Sequence, residues 1–231
     1  MTTLLIATRN THKAQEIGQI LGGDFRCFTL NDFPGAPVAV EDAETFAGNA
    51  RAKVLSLAEW VTKNPEPLFR TVAAEGPFFI VADDSGLEVD ALDGAPGVHS
   101  ARFAAREAPG AGNSPDSANN AKLLRLLEGK PAQQRTARFR CVLAVLRLAF
   151  SPVSRRALPF SPNQIVLLDG VCEGSIGGIA SGRGGFGYDP VFVPKDCAQS
   201  FAELGEEMKN KLSHRARALE KLKQFVGKGL C

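Results

Sequence analysis

Phe78-Phe79-Ile80-Val81-Ala82 is an unbroken apolar run that stops against two adjacent carboxylates, Asp83 and Asp84, followed by Ser85-Gly86. The run reads as a strand, and it delivers paired acids onto a turn instead of continuing inward. A strand end of this kind leaves two readings open. The carboxylates form a metal or general-base site, or they are a solvated strand end that caps the next segment, since Asp and Ser often satisfy backbone donors at turns.

Size and charge narrow the classes. The chain has 231 residues and ordinary apolar and charged fractions, enough to bury a good core as one domain or as two closely joined lobes. Lys and Arg exceed Asp and Glu by 27 to 25, so there is no global basic field of the kind that marks a general nucleic-acid binder, and any anion site is local. The five cysteines, Cys27, Cys141, Cys172, Cys197 and Cys231, are odd in number, scattered and free of CxxC pairs, which reads as reduced thiols in a cytoplasmic protein. Met1 leads directly into a short strand without the charge and apolar pattern of a secretory signal, and no segment has the length of apolar residues needed to cross a bilayer.

The first strand, Leu4 to Ala7, passes through Thr8-Arg9-Asn10-Thr11 into a helix with apolar positions Ala14, Ile17 and Leu21 that stops near Gly22-Gly23. A second helix follows the acidic loop Glu41-Asp42, with Phe46, Ala50, Val54, Leu57 and Val61 along one face until Asn64-Pro65. Ser114-Pro115 announces a third helix with Leu123, Leu124 and Leu127 buried before Gly129. A long strand runs from Arg138 to Phe150, and its partner is placed at Ile165 to Cys172, with Ser151 to Asn163 as a protruding loop between them. The glycine-rich stretch Gly174 to Gly187 is neither a Walker loop nor a dinucleotide fingerprint. The last helix, from about Ser213 to Val226, buries Leu219, Leu222 and Phe225.

Four polar constellations remain once the core is assigned. Thr8-Arg9-Asn10-Thr11-His12-Lys13 sits at a strand-to-helix turn, where backbone donors and the helix dipole face an anion, or where an Asn or Thr simply caps the helix beside a solvated Lys. Glu41, Thr45, Asn49 and Lys53 form the second set; Asn49 and Lys53, four apart, share a helix face, as a ligand-facing pair or as solvated surface. The third is Asp83-Asp84-Ser85. The fourth joins Phe186-Gly187-Tyr188-Asp189-Pro190 to Lys209 and Ser213-His214-Arg215; Phe186 and Tyr188 either stack on a flat ring or belong to the core. Acids for a divalent cation, basic groups and helix starts for phosphates, and aromatics with polar neighbours for a base make up the parts of a magnesium-bound nucleotide site.

Six blocks in order along nearly the whole chain resemble the inosine triphosphate pyrophosphatase family: Ala7 to Lys13, Glu41 to Lys53, Ala82 to Leu87, Gly94 to Arg102, Gly185 to Pro190 and Ser213-His214-Arg215. The resemblance implies an α/β fold over residues 1–231 as a single domain, with a long mixed β-sheet flanked by helices and a nucleotide cleft between two lobes. It implies a cytoplasmic, Mg2+-dependent homodimeric hydrolase that converts ITP, dITP and XTP to the monophosphate and pyrophosphate, clearing deaminated purines from the nucleotide pool. By the same resemblance Glu41 and Asp84 carry the metal and Asp84 activates water, with Asp83 in support. The triphosphate falls to Thr8, Arg9, Asn10, Thr11, His12, Lys13 and Lys53, with Ser85 beside it. Phe186, Gly187, Tyr188, Asp189, Lys209, His214 and Arg215 are left for the purine and the rest of the pocket.

A 6-keto purine can accept from a donor such as Lys209 or Arg215 where the amino group of adenine would clash. Two patches, Pro65 to Pro77 and Ser151 to Asn163, look longer than a compact member needs and bear on partner contacts more than on chemistry. The competing readings are a pyrophosphatase for other modified or canonical triphosphates, a non-catalytic nucleotide-binding module, and a nucleic-acid binder using the Arg155-Arg156 loop. Neither nucleic acid nor membrane is expected as a partner.

Overall fold

The first five-residue strand explains the layering of the fold. In a computed structural model that describes residues 1–66, 68, 76–105, 112–151, 154 and 156–228, β1 (Thr2–Ile6) is buried at every position, which a strand reaches only when both faces of its sheet are covered. It pairs in parallel with β2 (Phe25–Thr29) on one side and with β3 (Phe78–Val89) on the other. Parallel neighbours need a crossover, and α1 (Thr11–Leu21) provides it between β1 and β2. The sheet has the order β2-β1-β3-β4-β5-β6, with β4 at Thr136–Leu148, β5 at Val166–Ile176 and β6 at Phe192–Pro194. The β5–β6 pair is antiparallel, so the sheet is mixed, as the resemblance implied.

Helix boundaries follow local chemistry. Asn10 caps α1 by accepting from the Lys13 amide at 3.0 Å, and Gly22, at φ +72°, ends it in a conformation that favours glycine. Thr45 caps α2 (Phe46–Lys63) by accepting from Gly48 N at 3.0 Å. The third helix, α3 (Asp116–Leu126), begins after Pro115 without a side-chain cap, because the Ser114 hydroxyl accepts from Ala105 N instead, at 2.9 Å. α4 (Phe201–Leu212) opens on a capping box between Ser200 and Glu203 and is kinked at Gly205, φ +78°. α5 (His214–Lys228) begins immediately afterwards, Ser213 bonding Ala216 N at 3.1 Å.

The expected turn at Asp83-Asp84 is absent. β3 runs unbroken for twelve residues through both carboxylates to Val89, because each is buried against its own partner and neither needs a strand end to reach solvent. Parts of the Pro65 to Pro77 and Ser151 to Asn163 patches, Arg155 among them, and Cys231 lie outside the described residues. None of Cys27, Cys141, Cys172 and Cys197 is in a disulfide, and burial pushes the Cys27 and Cys172 thiols up to about 11, away from thiolate reactivity. No helix among the described residues is long and apolar enough to cross a membrane.

Two units make up the chain. The first comprises Met1–Asp84, Val142–Leu168 and Leu219–Cys231, and the second Ser85–Cys141 and Asp169–Ala218. In the first, Leu4, Leu5 and Ile6 of β1, Ile17 and Leu21 of α1, and Val54, Leu57 and Val61 of α2 are all buried. The second is built on aromatics: Phe139 lies 4.6 Å from Phe192 and is stacked on the His214 ring at 4.7 Å between centroids. Phe139 and Phe192 sit with Leu87, Leu123, Tyr188 and Phe201 in one cluster.

Gly170 lets β5 approach the start of α5. A Cβ there would strike the His214 carbonyl oxygen and lie 2.6 Å from Ala218 N, and both obstacles are backbone, which cannot rotate away. Gly170→Ala is therefore expected to destabilise the fold by about 3 kcal/mol, the upper range for forcing atoms into a packed contact, read as a lowered thermal midpoint against wild type.

Candidate functional site

Side chains alternate across a strand, so the adjacent acids of β3 take different lysines, while the two pairs stay close enough for the Lys13 ammonium to act on Asp84. The structure uses the alternation. Asp83, its side chain 1% exposed, binds Lys13 Nζ of α1 through Oδ1 at 2.7 Å, while Asp84 binds Lys53 Nζ of α2 through Oδ1, also at 2.7 Å. Lys53 Nζ lies 3.0 Å from Glu41 Oε2 and donates to the Asp83 carbonyl at 3.3 Å. The other Asp84 oxygen accepts from Asn49 Nδ2 at 3.2 Å, and Asn49 Oδ1 accepts from Ala43 N at 3.0 Å. Asn49 is thus the buried link between Asp84 and the loop that carries Glu41. The spacing of Asn49 and Lys53 on one helix face was legible in the sequence, but the role of Asn49 was not.

Glu41, Asp83 and Asp84 face the two ammonium groups Lys13 and Lys53, a surplus of one negative charge. Burial pushes the Asp84 carboxyl above its ordinary value; the Lys53 and Lys13 ammonium groups oppose this and Glu41 reinforces it. Burial acts to lower Lys53, and the charges of Asp84 and Glu41 outweigh it, so its ammonium is held above the usual lysine value. The two shifts differ in origin: burial dominates for Asp84, and the neighbouring carboxylates dominate for Lys53.

Next to this set is the turn from β1 into α1. Thr8 Oγ1 accepts from Asn10 N at 3.1 Å, preparing Asn10 for its capping role. Thr11 and His12 are exposed in the first turn of the helix, where backbone N–H groups have no intrahelical acceptor. Arg9 turns elsewhere: its guanidinium donates to the carbonyls of Leu30 at 2.8 Å, Pro34 at 3.3 Å and Ala36 at 2.9 Å. It ties the turn to the segment after β2.

In the second unit the Phe186 to Asp189 turn is held by its own acid. Asp189 Oδ2 accepts from Phe186 N at 2.8 Å and from Lys209 Nζ at 2.6 Å, with both charged side chains buried. The Lys209 ammonium sits 4.1 Å from the centre of the Phe186 ring and the Arg215 guanidinium 5.9 Å from it. Arg215, 1% exposed, also donates to Ser85 Oγ at 2.9 Å. Of the two aromatics left open by the sequence, Tyr188 belongs to the core: it is 3% exposed, its hydroxyl donates to Ser100 O at 2.9 Å, and burial raises its phenol well above the usual range. Phe186 is only half-buried. His214 is buried flat against Phe139.

The Ham1 family model matches residues 4–225. Among curated proteins, the chain is 42% identical to the dITP/XTP pyrophosphatase of Desulforamulus reducens, covering 97% of this chain and 96% of that one. It is also 42% identical to the dITP/XTP pyrophosphatase of Geobacter sulfurreducens, covering 98% of each. Among solved structures, the Ham1 protein of Coxiella burnetii superposes with a TM-score of 0.74 at 29% identity over 99% of this chain and all of that one. A nucleoside-triphosphatase / dITP/XTP pyrophosphatase from Mycobacterium abscessus does so with 0.65 at 34% identity, covering 95% and 98%.

Two outcomes are expected from the charge balance. Lys13→Met leaves Asp83 buried without its ammonium and is expected to cost about 3 kcal/mol in chemical denaturation; adding Asp83→Asn recovers part of the loss. In the metal-free protein, the Asp84 side-chain carbon followed by NMR titrates above the ordinary aspartate value of 3.8, and it moves higher still in Lys53→Met because a cation that favours the charged form is gone.

Proposed function

Since the chain belongs to the Ham1 family, we propose that it is a nucleoside triphosphate pyrophosphatase that hydrolyses non-canonical purine nucleotides, ITP, dITP and XTP, to the monophosphate and pyrophosphate. The observation that carries the reading is the convergence of exposed Glu41 and buried Asp84 on Lys53, where acid outnumbers base. Full-length similarity to the two dITP/XTP pyrophosphatases supports the substrate class.

The donor set fits Mg2+. Among the described residues no group of three or more His, Cys, Asp and Glu is arranged to hold a metal ion, and Mg2+ is commonly bound by one or two carboxylates, with waters and substrate phosphates completing its octahedron. Glu41 and Asp84 would hold it, and when bound it supplies charge neutralisation on the phosphate oxygens and a fixed orientation for the substrate.

The chain's own groups do the rest. Asp84 accepts a proton from the water that attacks the α-phosphorus, and Asn49, bonded to its second oxygen, holds the carboxylate in one orientation. The α–β anhydride bond breaks and pyrophosphate departs. Lys53, Lys13 and the amides at the start of α1 face the negative charge that gathers on the leaving group. Thr8, Asn10, Thr11 and His12 line the same turn, and Arg9 holds that turn in place through its three carbonyl partners. Lys209 and Arg215 offer donors beside the Phe186 ring, which suits a 6-keto purine and disfavours adenine, whose amino group would meet another donor. We assign Gly187, Asp189 and His214 to the same base-binding part and Ser85 to a substrate contact beside Asp84, and by the family resemblance the working form is a cytoplasmic homodimer.

Pyrophosphate release from ITP, XTP, GTP and ATP with Mg2+ tests the reading. ITP and XTP are expected to be cleaved well above GTP and ATP, and Asp84→Asn is expected to lower kcat by about 10³-fold while keeping the wild-type thermal midpoint. Equal cleavage of GTP and ATP points to a broader pyrophosphatase, and nucleotide binding without turnover to a binding module.

A further inference from the structure

Gly187 is held at both ends of its backbone by one helix. Its N–H donates to Asp116 Oδ2 at 2.6 Å, and its carbonyl accepts from Asn120 Nδ2 at 3.0 Å. Asp116 and Asn120 are four apart in α3 and therefore share a face, one turn above the other. The glycine lies 71 and 67 residues from these partners in sequence, at φ +64°, in the left-handed region. A residue gripped at both its N–H and its carbonyl by neighbouring turns of a helix cannot rotate or slide.

Packing alone does not account for Asn120. It is 7% exposed, and its Oδ1 is buried with no hydrogen-bond partner among the described residues. A buried acceptor left unmade is destabilising, typically by about 1–3 kcal/mol, and an apolar side chain of similar size would avoid the loss. What the amide provides in return is the bond to Gly187. The adjacent Asn119 is used the same way on another segment: it accepts from Ala104 N at 2.8 Å and donates to Ala101 O at 3.3 Å. α3 thus anchors the backbone on which Ser100 receives the Tyr188 hydroxyl, and it anchors the turn that carries Phe186.

We propose that Asp116 and Asn120 are positioning residues for base recognition. By fixing Gly187 they set where the Phe186 ring stands relative to Lys209 and Arg215, and so how strongly the site prefers a 6-keto purine. This rests on the proposed function for the nature of the ligand. The clamp itself does not. Neither residue belongs to the set assigned to the phosphates, so loosening the clamp weakens recognition of the base and leaves the chemical step alone. Asp116 is exposed and outside the apolar core, so its removal is compatible with a folded protein.

The experiment pairs a structural reading with a kinetic one on Asp116→Ala, Asn120→Ala and Asp116→Asn, each first checked for a wild-type thermal midpoint; should Asn120→Ala fail that check, the Asp116 pair carries the test. The structural reading is hydrogen exchange at the Gly187 amide. Exchange is expected to quicken in both alanine variants and to return toward wild type in Asp116→Asn, whose side-chain oxygen still accepts. The kinetic reading is kcat and KM for ITP and GTP with Mg2+. KM for ITP is expected to rise about tenfold with kcat within about twofold, the signature of lost binding common to ground and transition states, and the preference for ITP over GTP is expected to narrow, both restored in Asp116→Asn. Unchanged Gly187 exchange overturns the clamp. Faster exchange with unchanged KM and preference overturns its role in recognition, as does a loss of kcat that Asp116→Asn does not restore. If the wild type cleaves none of the nucleotides, the proposed reaction fails on its own account and calorimetric binding of ITP replaces KM. Weaker ITP binding in the alanine variants then upholds the inference, and equal binding or none in the wild type overturns it.

Discussion

A carboxylate buried without a partner costs several kcal/mol, more than most other local interactions in a fold of this size can offset. β3 buries two in succession, Asp83 and Asp84, and strand geometry sends them to opposite faces. The first unit is organised by that constraint. One helix has to bring a cation to each face, and the two helices flanking the strand do so, α1 with Lys13 and α2 with Lys53. The caps set the register: Asn10 starts α1 so that Lys13 falls in its first turn, and Thr45 starts α2 so that Asn49 and Lys53 fall in its first two. Because Glu41 shares Lys53 with Asp84, acid outnumbers base in this set.

The second unit answers the same problem at a smaller scale. Asp189 is buried with Lys209 and also accepts from the Phe186 amide, so one carboxylate closes a turn, neutralises a lysine and leaves that lysine over an aromatic ring. Arg215 is buried with its guanidinium directed toward Ser85 and the same ring. Cations held this way are fixed in direction, and fixed donors discriminate between a carbonyl and an amino group better than mobile ones. The turn is held from outside as well, through Gly187 and α3, so recognition and packing use the same few atoms.

Much of this was legible in the chain itself. α1, α2, β4 and the last helix lie close to where periodicity and caps put them, because those signals are local. α4 is not legible from periodicity although Ser200-Phe201-Ala202-Glu203 spells a capping box, since Gly205 interrupts the helical period. Ser114 looked like a cap and is bonded elsewhere, a competition between donors that only the approach of Ala105 decides. β6, three residues long, is too short for any pattern. The turn expected at Asp83-Asp84 was inferred from charge in an apolar run, and a sequence does not show that a lysine lies in wait on each face.

The residues of the candidate site are those that the motifs suggest; what they touch is not legible in the motifs. Sequence by itself determined the Asn10 cap of the first helix, the apolar stripes, the sheet-forming runs and the set of polar residues from which a site could be drawn, because each depends on neighbours within a few positions. Tertiary structure alone decided that Asp83 and Asp84 answer to different lysines, that Tyr188 packs inside while Phe186 stays half-buried, that Arg9 braces a loop, that Gly170 admits a helix, and that Gly187 is gripped by α3. Those outcomes depend on burial and on groups brought together across 21 to 88 residues of chain, and desolvation is a property of the assembled surroundings that no local stretch of sequence contains.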